Sequence, residues 1–222
     1  MGLLLAVAPP FVYAAYVACL LKLGPRRLAW LLRYRYFYNV AMAAYSLAAA
    51  LQGASILAGD GRLHDPYALV CTSSASWPHL WLTSKFVEYA DTAFIIARAR
   101  LPTRLHAMHH SLATSMVILD VAIADRPSPL FLVATVLNLM THSAMYLYYS
   151  DPPRFAAFKR SVTRVQLGQH ATLFCLLFGV LAFANRDDCD VPVLRYKIAL
   201  VFYAWQLSAF LRLYVVNGKQ TL

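Results

Sequence analysis

Acidic residues are scarce in this chain. Asp and Glu number 10 among 222 residues, against 20 Lys and Arg, and charged residues of both signs make up only 14%. A soluble domain carries about 25% charged and about 45–50% apolar residues; here 60% are apolar and the mean hydropathy is +0.54. That excludes an ordinary soluble domain and leaves a polytopic membrane protein. The formal charge of +10 comes without the continuous basic face or RNA-reading motif that nucleic-acid binding would need, and no nucleic-acid partner is expected. The basic residues lie in short runs between apolar segments, which makes them topology determinants and candidate contacts for an anionic substrate.

Cysteine is sparse too. Cys19, Cys71, Cys175 and Cys189 show no CxxC spacing, which leaves neither a zinc site nor a redox motif. No basic stretch precedes the apolar run that begins at Leu3, so the first segment is expected to stay as a helix rather than to be cleaved as a signal peptide. Internal repeats, low-complexity tracts and long linkers are missing, and one membrane domain over residues 1–222 is expected.

What the chain does have is hydrophobic length. A segment of about 20 apolar residues is long enough to cross a bilayer, and seven qualify: 3–21, 36–57, 79–97, 105–122, 129–149, 167–183 and 193–216. The expected fold is all-α, with seven transmembrane helices enclosing an intramembrane active site and the bilayer as a partner. Lys22, Arg26, Arg27, Arg33 and Arg35 follow the first segment; Arg98, Arg100 and Arg104 follow the third; Arg154, Lys159, Arg160 and Arg164 follow the fifth. The alternate loops hold Arg62, Arg126 and Arg186, with Arg195 and Lys197 near the last segment, and acids as well: Asp60, Asp65, Asp125, Asp187, Asp188 and Asp190. The positive-inside rule then puts the N-terminus on the luminal side and the C-terminus in the cytosol.

With that orientation the polar residues of four segments fall at similar depth. His106, His109 and His110 sit at i, i+3 and i+4, one face of a helix. Lys85, Glu88 and Asp91 recur every third residue with Thr92 beside them. A buried Lys85–Glu88 pair that only fixes packing and a functional trio are equally compatible with that spacing. Asn138, His142, Tyr146 and Tyr149 lie on the fifth segment, and Thr163, Gln166, Gln169 and His170 near the start of the sixth. Taken singly, a histidine on an apolar helix is a packing residue, tyrosines near a boundary form a belt, and glutamines are interhelical glue. Their coincidence in depth argues for a site.

These residues carry a family resemblance. His106-Ala107-Met108-His109-His110 reads HxxHH, Lys85 to Thr92 reads KxxExxDT, Asn138 to Tyr149 reads NxxxHxxMYxYY, and Thr163 to Gln169 reads TxxQxxQ. In content and order they resemble the motifs of the fatty-acid elongase (ELO) family, and the similarity extends along nearly the whole chain. Met108, and Arg104 before the box, stand where an aromatic is common in that family, which touches substrate preference and leaves the catalytic set intact.

The resemblance implies an acyltransferase of the endoplasmic reticulum, the very-long-chain 3-oxoacyl-CoA synthase. It condenses acyl-CoA with malonyl-CoA to 3-oxoacyl-CoA, carbon dioxide and CoA. By the same resemblance His109 is the nucleophile that forms an acyl-imidazole, His142 its closest partner, and His106 and His110 the groups that orient or shuttle protons. Lys85, Glu88, Asp91, Asn138, Tyr146, Tyr149, Gln166 and Gln169 support the site or bind substrate. A charge argument assigns the CoA phosphates to Arg98, Arg100, Arg104, Arg160 and Arg164. No metal and no cofactor beyond the two CoA substrates is implied. The expected partners are the reductases and dehydratase of the elongation cycle, and a homodimer is compatible with the sequence. Cys71 and Cys189 both fall in loops assigned to the luminal side, where a disulfide can form between them.

Two other classes compete. A membrane di-iron desaturase also uses HxxHH, but it draws ligands from several histidine boxes, whereas this chain has 7 histidines and one box. A seven-span receptor or transporter would explain the topology without explaining four polar motifs at one depth.

Overall fold

The computed structural model describes residues 2–61, 64–71, 80–123, 129–183 and 193–219. Among them the regular structure is helical throughout: α1 Gly2–Leu28, α2 Arg35–Asp60, α3 Pro66–Cys71, α4 Leu80–Val87, α5 Ala90–Ala97, α6 Arg104–Ile123, α7 Pro129–Ser150, α8 Lys159–Phe183 and α9 Val193–Lys219, with 3-10 turns at Ala29–Tyr34 and Ala156–Phe158.

Four helical stretches among the described residues are long and apolar enough to cross a membrane by length and composition: Val7–Gly59, Pro129–Ser150, Ala156–Ala182 and Val193–Val215. The chain is therefore a multi-pass membrane protein. The 53 residues of the first stretch contain two of the expected segments; at 1.5 Å per residue they would measure roughly 80 Å, more than twice the thickness of a hydrocarbon core. The helical path breaks at Gly24, with φ 75° and ψ 165°, a conformation open to a residue without Cβ. Pro25 then begins the next helical piece, where a missing N–H costs nothing.

The four stretches account for five of the seven expected segments. The other two fall short of the length or apolarity criterion for physical reasons. Segment 79–97, expected as a single helix, is divided into α4 and α5 of 8 residues each. Helix α6 has 20 residues, but its first two turns hold three histidines.

The described residues pack as two compact units. The first comprises residues 1–38 and 76–125. In it α1 lies against α5 and α6, α4 against α6, and the 29–34 turn against α1 and α5. Its apolar core is Leu20, Leu28, Ala93, Ile96 and Ala97, flanked by Tyr16, Leu31 and Leu32. Helix α5 ends with Arg100 N–H donating to Ile95 O at 3.2 Å and Ala99 N–H to Ile96 O at 2.9 Å. This is a Schellman ending, and it sets Ala99 at φ 56°, where glycine is the usual occupant.

The second unit comprises residues 39–75 and 126–222. Here α8 packs against α7 and α9, and α3 against α7 and α8. Asp65 caps α3, accepting from Ala68 N–H at 3.2 Å, with Pro66 at the first helical position. Helix α2 buries Asn39, Ser46, Ala50, Gly53 and Leu57, a face of mostly small side chains. Lipid tails are as apolar as leucine, so close packing rather than water exclusion must hold such helices together. Gly53 is where the approach is tightest: a Cβ there would lie 2.7 Å from Val136 Cγ2 and 3.5 Å from Leu132 Cδ1. Exposed apolar side chains such as Phe11, Phe37, Leu51 and Val201 supply the lipid-facing surface.

Two stability changes of opposite sign are expected. Gly53→Leu overpacks the α2–α7 contact and should cost about 1–3 kcal/mol, read as a lower unfolding midpoint in a detergent titration; an unchanged midpoint would contradict the close approach. Ala99→Gly relieves the left-handed position and should raise the same midpoint by an amount equivalent to about 1 kcal/mol.

Candidate active site

The histidine box begins at a helix start. Pro102 cannot continue a preceding helix, and Thr103 caps α6: its Oγ1 accepts from His106 N–H at 3.1 Å and its carbonyl from Ala107 N–H at 3.0 Å. His106, His109 and His110 therefore occupy the first two turns. The His106 and His110 rings lie 4.2 Å apart, centroid to centroid, and the His109 ring stands perpendicular to that of His110 at 5.7 Å. His110 is buried, whereas His106 and His109 are half-buried.

The break between α4 and α5 faces this box. Around it the backbone switches to i→i−3 bonds: Tyr89 N–H to Phe86 O, Asp91 N–H to Glu88 O and Thr92 N–H to Tyr89 O, each at 3.1 Å. At three residues per turn, side chains at i and i+3 eclipse. Glu88 N–H still bonds to Ser84 O at 2.8 Å, so the tightening acts between Glu88 and Asp91, whose spacing of three would drift on a regular α-helix. Lys85 Nζ donates to both carboxylate oxygens of Glu88, at 2.8 and 3.0 Å, and both side chains are buried. Asp91 Oδ2 lies 4.0 Å from His110 Nε2. Thr92 Oγ1 is 2.9 Å from His106 Nε2 and 2.6 Å from the Tyr13 hydroxyl.

Tyr13 is the residue that sequence reasoning passed over. It comes from α1, outside every motif, yet it is buried and its ring is nearly parallel to that of His110 at 6.2 Å and 7°. Tyr89 meets Tyr13 edge-on at 4.8 Å and His110 at 6.4 Å. The only sequence signal was a pair of tyrosines, Tyr13 and Tyr16, one helical turn apart inside an apolar segment.

The second unit holds the remaining motif residues. His142 and Tyr146 are buried on α7 with ring centroids 5.7 Å apart, and Asn138 lies one turn before His142 on that helix. Gln166 Nε2 donates to Met145 Sδ at 3.7 Å across the α7–α8 contact, and Gln169 and His170 are buried on α8. Tyr149 contributes its carbonyl, which accepts from Asn39 Nδ2 at 3.2 Å, while its ring is 43% exposed. His170 stacks on Phe210 at 4.9 Å. Further buried polar groups on α2 and α9, Ser46, Arg195 and Gln206, lie outside the motifs.

The basic residues assigned to CoA divide in the same way. Arg98 and Arg100 follow α5, Arg104 opens α6, and Arg160 and Arg164 lie in the first turns of α8; all five are exposed. Partial burial, then repulsion from the Arg35 and Arg100 guanidiniums, holds Arg98 below the usual arginine range. Cys71 is buried and disulfide-bonded, and Cys19 and Cys175 are free thiols. Its expected partner, Cys189, lies outside the described residues.

Comparison with known proteins agrees with the motifs. The ELO model, described as the GNS1/SUR4 family, matches residues 5–220. The chain is similar to long chain fatty acid elongase 1 of Caenorhabditis elegans, 27% identical over 82% of this chain and 68% of that protein. Very long chain fatty acid elongase 6 of Drosophila melanogaster is 25% identical over 80% and 60%. Very long chain fatty acid elongase 3 of Mus musculus is 39% identical over 50% and 41%. The chain thus spans about two thirds of the length of the first two relatives, and less of the third.

The Lys85–Glu88 pair generates a double-variant test. Lys85→Met strands a buried carboxylate and should lower stability by about 3–5 kcal/mol, whereas Lys85→Met with Glu88→Leu should recover most of that loss. Denaturant midpoints of the three proteins decide it. A single variant as stable as the parent would mean that the pair is not buried in the folded protein.

Proposed function

We propose, from the premise that this chain belongs to the ELO (GNS1/SUR4) family, that it is the condensing enzyme of fatty-acid elongation. In the proposed reaction acyl-CoA and malonyl-CoA give 3-oxoacyl-CoA, carbon dioxide and CoA. The observation that carries the reading is the HxxHH box at the start of α6, whose imidazoles meet hydroxyl and carboxylate partners, with Thr92 2.9 Å from His106 and Asp91 4.0 Å from His110. Such partners fix ring orientation and leave imidazole chemistry available.

The proposed sequence has two halves. His109 attacks the thioester carbonyl, an acyl-imidazole forms, the carbon–sulfur bond breaks and CoA leaves as the thiol. Malonyl-CoA then loses carbon dioxide, and the enolate attacks the acyl-imidazole; the new carbon–carbon bond forms as the His109–acyl bond breaks. His142, assigned with the box on resemblance, and the amides of Asn138, Gln166 and Gln169 supply donors for the developing oxyanion. His106 and His110 exchange protons. Neither Cys19 nor Cys175 is assigned a role, since both are exposed thiols on apolar helices.

The rest of the reading follows from charge and length. Arg98, Arg100, Arg104, Arg160 and Arg164 meet the CoA phosphates on the cytosolic side, with the N-terminus luminal. In this reading α4 with α5 forms one interrupted crossing and α6 another, giving seven. Residence in the endoplasmic reticulum, an apolar tunnel for the acyl chain, and work alongside the reductases and dehydratase of the elongation cycle complete the proposal.

The test is incubation of the purified protein in liposomes with labelled malonyl-CoA and a panel of acyl-CoAs. A 3-oxo product two carbons longer is expected, with stoichiometric carbon dioxide. His109→Ala should lower the rate by about 100-fold or more. Absence of product at every chain length, or a His109→Ala variant as fast as the parent, would overturn the reading.

A further inference from the structure

Helix α1 carries no motif, yet its Tyr13 reaches the histidine box. The link runs through two hydroxyls: Tyr13 OH to Thr92 Oγ1 at 2.6 Å, and Thr92 Oγ1 to His106 Nε2 at 2.9 Å. All three residues belong to one compact unit, Tyr13 is buried and Thr92 is 0% exposed. Water is therefore a poor substitute for either hydroxyl.

Among the described residues, Thr92 differs from five other hydroxyl side chains in where its bonds lead. Ser111, Thr114, Thr135, Thr141 and Thr163 all turn their hydroxyls back onto the carbonyl four residues earlier in their own helices, at 2.8 to 3.3 Å. That is the ordinary habit of such residues in apolar helices. Thr92 sits in the first turn of α5, just past the break at Glu88–Tyr89, and its hydroxyl leads sideways to α1 and α6. The break in the third expected segment is what turns this hydroxyl towards a tyrosine and a histidine together.

A threonine hydroxyl has one proton, and a neutral imidazole has one donor and one acceptor nitrogen. The chain of three groups consequently has a small set of proton arrangements. In one, Tyr13 donates to Thr92 and Thr92 donates to His106 Nε2, placing the imidazole proton on Nδ1. In another, His106 Nε2–H donates to Thr92 and Thr92 donates to the Tyr13 oxygen. In a third, Tyr13 and His106 Nε2–H both donate to Thr92 Oγ1, and Thr92 donates to a carbonyl of its own helix. In all three the Nε2 edge is occupied, and any proton exchange between His106 and a substrate or neighbouring histidine goes through Nδ1. Tyr13 is the group that competes with the helix's own carbonyls for the Thr92 hydroxyl, so its presence biases which of these arrangements, and hence which tautomer, is populated.

We propose that Tyr13 is a positioning residue for His106, acting through Thr92 to hold one ring orientation and one tautomer of the first histidine of the box. The assignment rests on the condensing reading above for its catalytic consequence. Tyr13 does not react. Its removal leaves Thr92 free to fall back onto its own helix, as the other threonines do, and releases His106 into a mixture of tautomers.

Two measurements test this, and they fail independently. In the liposome condensation assay, Tyr13→Phe should lower kcat about tenfold, the equivalent of one buried hydrogen bond, with KM for both CoA substrates changed less than about twofold. Thr92→Val should lose at least as much, and Thr92→Ser, which keeps the hydroxyl, should exceed Thr92→Val by about tenfold. A Tyr13→Phe variant with the parent kcat, or Thr92→Ser no better than Thr92→Val, overturns the inference. The second measurement is the 15N spectrum of histidine-labelled protein in nanodiscs, with the His106 signals identified by their loss in His106→Gln. One tautomer is expected in the parent and a mixture in Tyr13→Phe; identical tautomer populations in the two proteins overturn the assignment. Should the parent make no 3-oxo product, the condensing reading falls while the spectra still decide whether Tyr13 positions His106.

Discussion

Polar groups buried among apolar helices must be satisfied by the protein itself, because lipid offers no hydrogen bonds and an unmet group costs several kcal/mol. The first unit places an ammonium, two carboxylates and three imidazoles within residues 85–110. Among them Lys85 pairs with Glu88, Asp91 lies beside His110, and His106 meets Thr92, which in turn meets Tyr13. The local geometry follows from that requirement. A regular α-helix would carry Glu88 and Asp91 progressively around its axis, whereas the i→i−3 bonds between Phe86 and Thr92 reduce that drift. The interruption that removes this segment from the set of long apolar helices is the same feature that assembles its polar face.

This constraint also explains why the chain resists a simple hydropathy reading. Helices α2, α7, α8 and α9 announce themselves by length, and their ends lie close to expectation apart from α8, which begins at Lys159 rather than near Leu167. Its early turns are polar and basic, so hydropathy underweights them. Segments 79–97 and 105–122 carry the residues that make a site, and those residues dilute the apolar signal. Function and legibility trade against each other along the chain.

The motifs were readable because each is local. HxxHH, KxxExxDT, NxxxHxxMYxYY and TxxQxxQ each fit within a few helical turns, and residues at i, i+3 and i+4 share a face whatever the tertiary fold. Tyr13 was not readable, because its partner Thr92 is 79 residues away and nothing in the run Pro10-Phe11-Val12-Tyr13 marks that tyrosine from the ones expected at a membrane boundary. Asn39 and Gly53 were hidden for the same reason: the carbonyl of Tyr149 and the side chain of Val136 that define their roles belong to α7. The ion-pair alternative for Lys85 and Glu88, left open by spacing, proves to be present, and it coexists with the polar contacts of the box rather than replacing them.

The cationic residues show how one segment serves both stability and the proposed chemistry. Arg98 and Arg100 flank Ala99, whose left-handed backbone reverses the chain between α5 and the Thr103 cap of α6. Partial burial first, and then repulsion from the Arg35 and Arg100 guanidiniums, lower the proton affinity of Arg98. In the proposed orientation these residues face the cytosol, where the positive-inside rule expects basic residues. Under the proposed function, a polyanionic head such as that of CoA would pair with these guanidiniums. It would do so at the end of the short helix that carries Asp91 and Thr92, so that charge recognition and the polar contacts of the histidine box share one rigid element.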